Sequence, residues 1–208
     1  MLYKNLANNI TSFFVKKNVI AESKKNVYSY GFEIILSTIV YEAIFLVLAL
    51  ITKTFFPSLL FWIGFFFIRK CCGGYHAHTY FACHIMFAAN HLAFIFLLKM
   101  FLKSTDPRIA AVIVFVCAGI IFLIAPVAHP NKPFINNEYS KFKKKSRIYA
   151  CVLIVISIIG LLPFMTCHAA YWGYTIGTLS ATISLLSAKI IYKPERNSTH
   201  EKIDAKID

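Results

Sequence analysis

The chain has 208 residues, 58% of them hydrophobic and 16% aromatic, with a formal net charge of +13. A soluble domain carries about 45–50% apolar residues, so this composition excludes an ordinary water-soluble fold and points to an all-α, polytopic bundle of membrane helices. The Lys and Arg residues abut apolar runs and accompany no nucleic-acid reader motif, so the charge reads as a topology signal and no nucleic-acid partner is expected.

In chain order, residues 2–14 come first. At 100° per residue, Leu2, Tyr3, Leu6, Ile10, Phe13 and Phe14 gather on about one third of the circumference, which predicts an amphipathic helix lying in the membrane plane. Residues 1–30 lack the apolar core of a cleavable signal peptide and read as a cytoplasmic interfacial segment. Apolar runs then predict about six spans, at 32–52, 54–68, 80–101, 108–128, 148–166 and 169–191, near the roughly 20 residues that cross a bilayer. The second is short enough to be tilted or re-entrant. The first carries Glu33 at its cytoplasmic edge and Glu42 deeper, where a structural polar contact is expected. Residues 192–208 are polar with mixed charge and read as a flexible tail. The whole of 1–208 reads as one integral membrane domain.

Six spans put both termini on one side. Eighteen of the 22 cations fall on that side, the exceptions being Lys53, Lys99, Lys103 and Arg108. The positive-inside rule makes it cytoplasmic. After the fourth span, Pro126, Pro130 and Pro133 stiffen a long loop, which ends in a basic block of Lys141, Lys143, Lys144, Lys145 and Arg147. Topology and contact with anionic lipid explain such a block, and binding of an acidic peptide is the alternative.

Between the second and third spans lies Arg69 to His84, RKCCGGYHAHTYFACH, with three cysteines, three histidines and a Gly-Gly pair. So polar a cluster is costly beside lipid, which makes chemistry the first suspicion. His76 and Cys83 supply a base and a nucleophile for acyl transfer. On a straight helix, residues seven apart share a face but stand about 10.5 Å apart along the axis. A sulfur–nitrogen hydrogen bond needs about 3–4 Å, so a dyad requires a broken helix. Gly73-Gly74 is the expected break, and Thr79 is the expected cap of a helix starting at Tyr80. Backbone N–H groups freed near the glycines are candidates for an oxyanion hole. Buried cysteines and satisfied histidines are common, however, so the pair alone does not decide for catalysis. The spacing fits neither C-x-x-C nor H-E-x-x-H, so no metal is expected. Cys71 and Cys72 are juxtamembrane, either acylation sites or filler.

The pattern Arg69, Gly73, Gly74, His76 and Cys83, with Ala125-Pro126 and Asn131-Lys132-Pro133 after the fourth span, resembles the accessory gene regulator B family. These are bacterial membrane endopeptidases that process quorum-sensing propeptides. The resemblance implies a multi-pass protein of the bacterial cell membrane in which His76 is the general base and Cys83 the nucleophile. Arg69, Gly73, Gly74 and Glu33 would support the site. The implied substrate is a short amphipathic propeptide with an internal Cys or Ser and an acidic C-terminal tail. Cys83 would release the tail, and the resulting thioester would close into a thiolactone or lactone ring. Asn131, Lys132, Pro133, Lys143, Lys144 and Lys145 are candidate substrate-binding residues. No cofactor is implied, and a bundle this small is compatible with a homodimer. A peptide exporter and a non-catalytic scaffold for a propeptide fit the same span count.

Overall fold

Residues 2–75, 79–104, 106–128, 134, 138–160 and 168–192 are described by a computed structural model of the chain. They form seven α-helices: α1 (Leu2–Lys16), α2 (Lys25–Ile51), α3 (Phe55–Cys72), α4 (Tyr80–Ser104), α5 (Pro107–Ile124), α6 (Glu138–Gly160) and α7 (His168–Ile191), with a 3-10 turn at Glu22–Lys24. The helical membrane architecture expected from the sequence is the one found. α2, α3, α4 and α7 are long and apolar enough to cross a bilayer, and α5 is apolar but shorter.

Helix ends differ from the hydropathy limits for physical reasons. α2 starts at Lys25 and α3 runs on through Arg69, Lys70, Cys71 and Cys72. Hydropathy marks where lipid ends, whereas a backbone helix continues until a residue breaks it. Gly73, at φ +86°, is that residue for α3. α5 stops at Ile124, four residues before the expected limit, because Pro126 holds Ala125 extended at ψ 149°. The largest correction concerns the basic block. It is helix, not loop: α6 begins at Glu138 and carries Lys141 to Arg147 in its first turns. From Glu138 to Arg147 there is no Gly or Pro, and Lys, Arg and Glu are good helix formers, so only the charge suggested a loop. The last residues of the fifth expected span, 161–166, lie outside the described residues.

The chain forms two compact units, Met1–Phe55 with Ala77–Ala93, and Phe56–His76 with Phe94–Asp208. In the first, α1 buries Ala7 and Thr11, hydrogen-bonds α2 through Asn8 and Ser29, and stacks Phe14 on Phe32 at 5.8 Å. Leu6 and Phe13, part of the expected apolar face, stay exposed. The true packing face is rotated towards Ala7 and Thr11, which leaves an outward apolar edge of the kind an interfacial helix uses. Farther along, Tyr41 and Phe45 of α2 pack against Phe87 and His91 of α4.

In the second unit, Ile68, Val114, Ile121, Leu153 and Leu185 form one core, and Phe61, Phe94, Leu98 and Trp172 another. α3 and α7 approach at backbone contact. A Cβ on Gly173 would lie 2.2 Å from the Pro57 carbonyl oxygen, and one on Gly177 would lie 2.2 Å from that of Phe61. Small residues four apart allow this closeness where lipid supplies no hydrophobic drive. Gly177→Ala is therefore expected to force the helices apart and lower thermal stability in detergent by about 1–3 kcal/mol. Gly119→Ala is the control, since nothing lies within 4 Å of its added Cβ. Equal melting of the two variants would refute the close crossing.

Candidate active site

The Arg69–His84 segment begins in the last turn of α3. Arg69 lies half-buried in the last turn, its guanidinium 5.4 Å over the ring of Phe65 one turn back. Its Nη1 donates to Ser184 Oγ of α7 at 2.7 Å. The Tyr75 N–H also turns to Ser184, 3.1 Å from its main-chain oxygen and 3.2 Å from its Oγ. Gly74 sits between these partners, so that a Cβ would lie 3.1 Å from Ser184 Oγ and 3.3 Å from Arg69 Nη1. Gly73 is tighter still: a Cβ there would be 2.3 Å from the Val127 carbonyl oxygen. The Val127 N–H donates to the Cys72 carbonyl at 2.9 Å, and Ser146 Oγ of α6 donates to that of Cys71 at 3.1 Å. The glycine turn is thus clamped by the segment after α5 on one side and by α7 on the other.

The expected break at Gly73-Gly74 is present, and so is the expected cap. Thr79 Oγ1 accepts the Ala82 N–H at 3.2 Å, and the Thr79 carbonyl accepts the Cys83 N–H at 3.0 Å. Cys83 therefore sits in the capped first turn of α4, half-buried, as a free cysteine. The partial positive charge of a helix N-terminus lies at this end of α4. His84, the next residue, is buried instead. Its Nε2 lies 3.1 Å from the Ser37 carbonyl oxygen and its ring stacks on Tyr3 at 5.8 Å, which explains it as a structural residue.

His76 and His78 lie outside the described residues, as do Asn131, Lys132 and Pro133. Glu33 is half-buried on α2. Cys72 is fully buried and acts as filler, while Cys71 is half-buried. Lys143 and Lys144 line one groove on α6, whereas Lys145 is not among its lining residues, so the three do not form the single loop patch expected. Two of the backbone donors near the glycine turn are not available for an oxyanion. The Gly73 N–H donates to the Arg69 carbonyl at 3.1 Å and the Tyr75 N–H to Ser184, so both donors are already used. Among the described residues, no three His, Cys, Asp or Glu side chains converge to hold a metal.

A model of the family described as accessory gene regulator B matches residues 7–187. The chain belongs to the accessory gene regulator B family. The matched stretch takes in the glycine turn, Cys83 and Ser184. Accessory gene regulator protein B of Staphylococcus haemolyticus is 28% identical over 134 residues, 64% of this chain and 70% of that one. The Staphylococcus epidermidis protein of the same name is 28% identical over 118 residues, 56% of this chain and only 59% of its own length. That of Staphylococcus carnosus is 28% identical over 135 residues, 64% of this chain and 69% of the relative. No solved structure matches the chain.

Ser184 is the residue that sequence reasoning misses. It is one of several Ser and Thr on an apolar helix, and its partner Arg69 is 115 residues away. A hydrogen bond to a charged group contributes about 1.5–3 kcal/mol. Ser184→Ala is expected to lower thermal stability in detergent by an amount of that order, about 1–2 kcal/mol, and Ser184→Thr to recover most of it. An alanine variant as stable as the native protein would show that the clamp holds nothing.

Proposed function

We propose that this protein is a membrane cysteine endopeptidase of a quorum-sensing system, which removes the C-terminal tail of a small propeptide and promotes its cyclisation. The observation that carries the reading is Cys83, a half-buried free thiol in the capped first turn of α4, in a chain of the accessory gene regulator B family. The glycine turn that ends α3 supports it, since the chain needs a break before His76 and Cys83 can serve one reaction.

In the proposed reaction His76 takes the Cys83 proton, and the thiolate attacks the carbonyl carbon of the peptide bond before the tail. The C–N bond breaks and the protonated His76 gives its proton to the leaving amine. A thioester between Cys83 and the shortened propeptide remains. The internal Cys or Ser of the propeptide then gives its proton to His76 and attacks that thioester, closing the ring and expelling the Cys83 thiolate, which takes the proton back from His76. A site that excludes water favours this nucleophile over hydrolysis, and its tether gives it a high effective concentration. Exchange between thioesters is close to isoenergetic, whereas amide to thioester is uphill, so loss of the tail must draw the reaction forward. Arg69, Gly73 and Gly74 serve by fixing the turn that leads to His76. The acidic tail is drawn to cytoplasmic cations, among which the segment Asn131-Lys132-Pro133 belongs to the resembling pattern.

The test uses the full chain in proteoliposomes with a synthetic propeptide carrying an amphipathic leader, an internal cysteine and an acidic tail. Free tail should accumulate with the native protein and not with Cys83→Ser. Intact propeptide crossing the membrane without tail release would favour the exporter reading, and neither event would favour a scaffold.

A further inference from the structure

Apart from the cysteine site, the surface of α6 holds a groove of about 390 Å³ lined by Ser140, Lys143, Lys144, Arg147, Ile148 and Cys151. These positions recur at three- and four-residue steps, so they form a stripe along one helical face. That face is distinct from the buried one, which carries Ser146, Ala150, Leu153 and Ser157. Three cations line the groove and no carboxylate does. Two of them are held by rings: Arg147 lies 5.2 Å over Phe122 of α5, and Lys143 lies 5.5 Å over Tyr139. An aromatic face steadies a cation without cancelling its charge, so the groove keeps its positive potential.

Below Arg147 the same stripe turns apolar. Ile148, Val155 and Ile158 are 55%, 53% and 58% exposed, and Cys151 is exposed between them. From Arg147 to Ile158 the helix rises about 16 Å, which is about half of the roughly 30 Å hydrocarbon core. A cationic head above an apolar track one leaflet long matches one occupant. We propose that this stripe binds an anionic phospholipid, its phosphodiester on Arg147, Lys144 and Lys143 and one acyl chain along Ile148, Val155 and Ile158. The Arg147 fork gives two donors to phosphate oxygens, and Ser140 adds a hydroxyl one turn above Lys144. An acidic peptide or a free phosphate would use the cations and leave the apolar track bare. Lys141 and Lys145 do not line the groove, and Lys145 lies 5.6 Å over the ring of Phe142.

The experiment is native mass spectrometry of the full chain in a neutral detergent, titrated with phosphatidylglycerol or phosphatidylcholine. Each cation near an anionic lipid surface contributes enough that losing two should weaken the first phosphatidylglycerol by about thirtyfold. Lys144→Gln with Arg147→Gln should show that loss and bind both lipids alike. Lys141→Gln with Lys145→Gln removes the same charge and should keep the preference. Equal loss in both double variants would mean diffuse charge attraction and would overturn the site, as would no loss in the first. Displacement of the lipid by millimolar inorganic phosphate, or by a synthetic acidic peptide, would reassign the groove to a free anion or to a peptide. If the first double variant is not recovered folded, Lys144→Gln alone is read in the same way, with about fivefold loss expected.

Discussion

Replacing Cys83 with alanine is expected to abolish tail release, by at least ~10³-fold, because only binding and electrostatic effects survive loss of a nucleophile. The fold should persist. Cys83 is half-buried, and the bonds that start α4 run from the Ala82 and Cys83 main-chain N–H groups to Thr79, so they do not use the sulfur. The other cysteines near the turn make the comparison sharp. Cys71→Ala should retain most activity, since Cys71 engages Ser146 through its carbonyl oxygen, which alanine also has. Cys72→Ala removes a fully buried side chain and should cost stability before it costs chemistry. Rates of tail release from reconstituted vesicles, set beside melting temperatures of the same preparations, separate these effects. A Cys71 variant as inactive as the Cys83 variant would move the nucleophile.

His76→Ala is expected to be nearly as inactive and to differ from Cys83→Ala in its response to pH. Without an imidazole, thiolate must form by loss of a proton to solvent, which hydroxide promotes. Activity of His76→Ala should therefore climb as the medium is made more alkaline, whereas Cys83→Ala should stay flat. His84→Ala should behave differently from both. Its imidazole meets the Ser37 carbonyl and the Tyr3 ring, so its loss should lower stability and leave the turnover of the folded fraction near native. No pH rescue at His76, together with full loss at His78, would reassign the base to His78.

The membrane class, the break at Gly73-Gly74 and the Thr79 cap are legible in the sequence because each rests on a local rule. Apolar length sets spans, glycine pairs end helices, and a threonine before an apolar run starts one. The basic block is misplaced because charge and helicity are independent: Lys and Arg favour water and also favour helix. The apolar face of α1 is only partly right, since the clustering of apolar residues on one side of a helix cannot say which of them meet protein and which meet lipid. The oxyanion expectation fails at Gly73 and Tyr75 because a free N–H in a local reading finds Arg69 or Ser184 in the folded chain. Gly173 and Gly177 show the remaining difficulty. Their spacing is visible in the sequence, but the Pro57 and Phe61 backbone that requires them lies more than a hundred residues earlier.

The most direct test of the proposed chemistry is the intact mass of the protein after reaction with a propeptide whose internal nucleophile is replaced by alanine. Such a substrate can acylate the enzyme but cannot resolve the thioester, so the intermediate should accumulate. After acid quench, the chain should gain the mass of the propeptide without its tail, the adduct should map to the fragment containing Cys83, and hydroxylamine should remove it. Tail release with no adduct, or an adduct on Cys71, Cys72 or Cys151 in place of Cys83, would contradict a Cys83 acyl-enzyme.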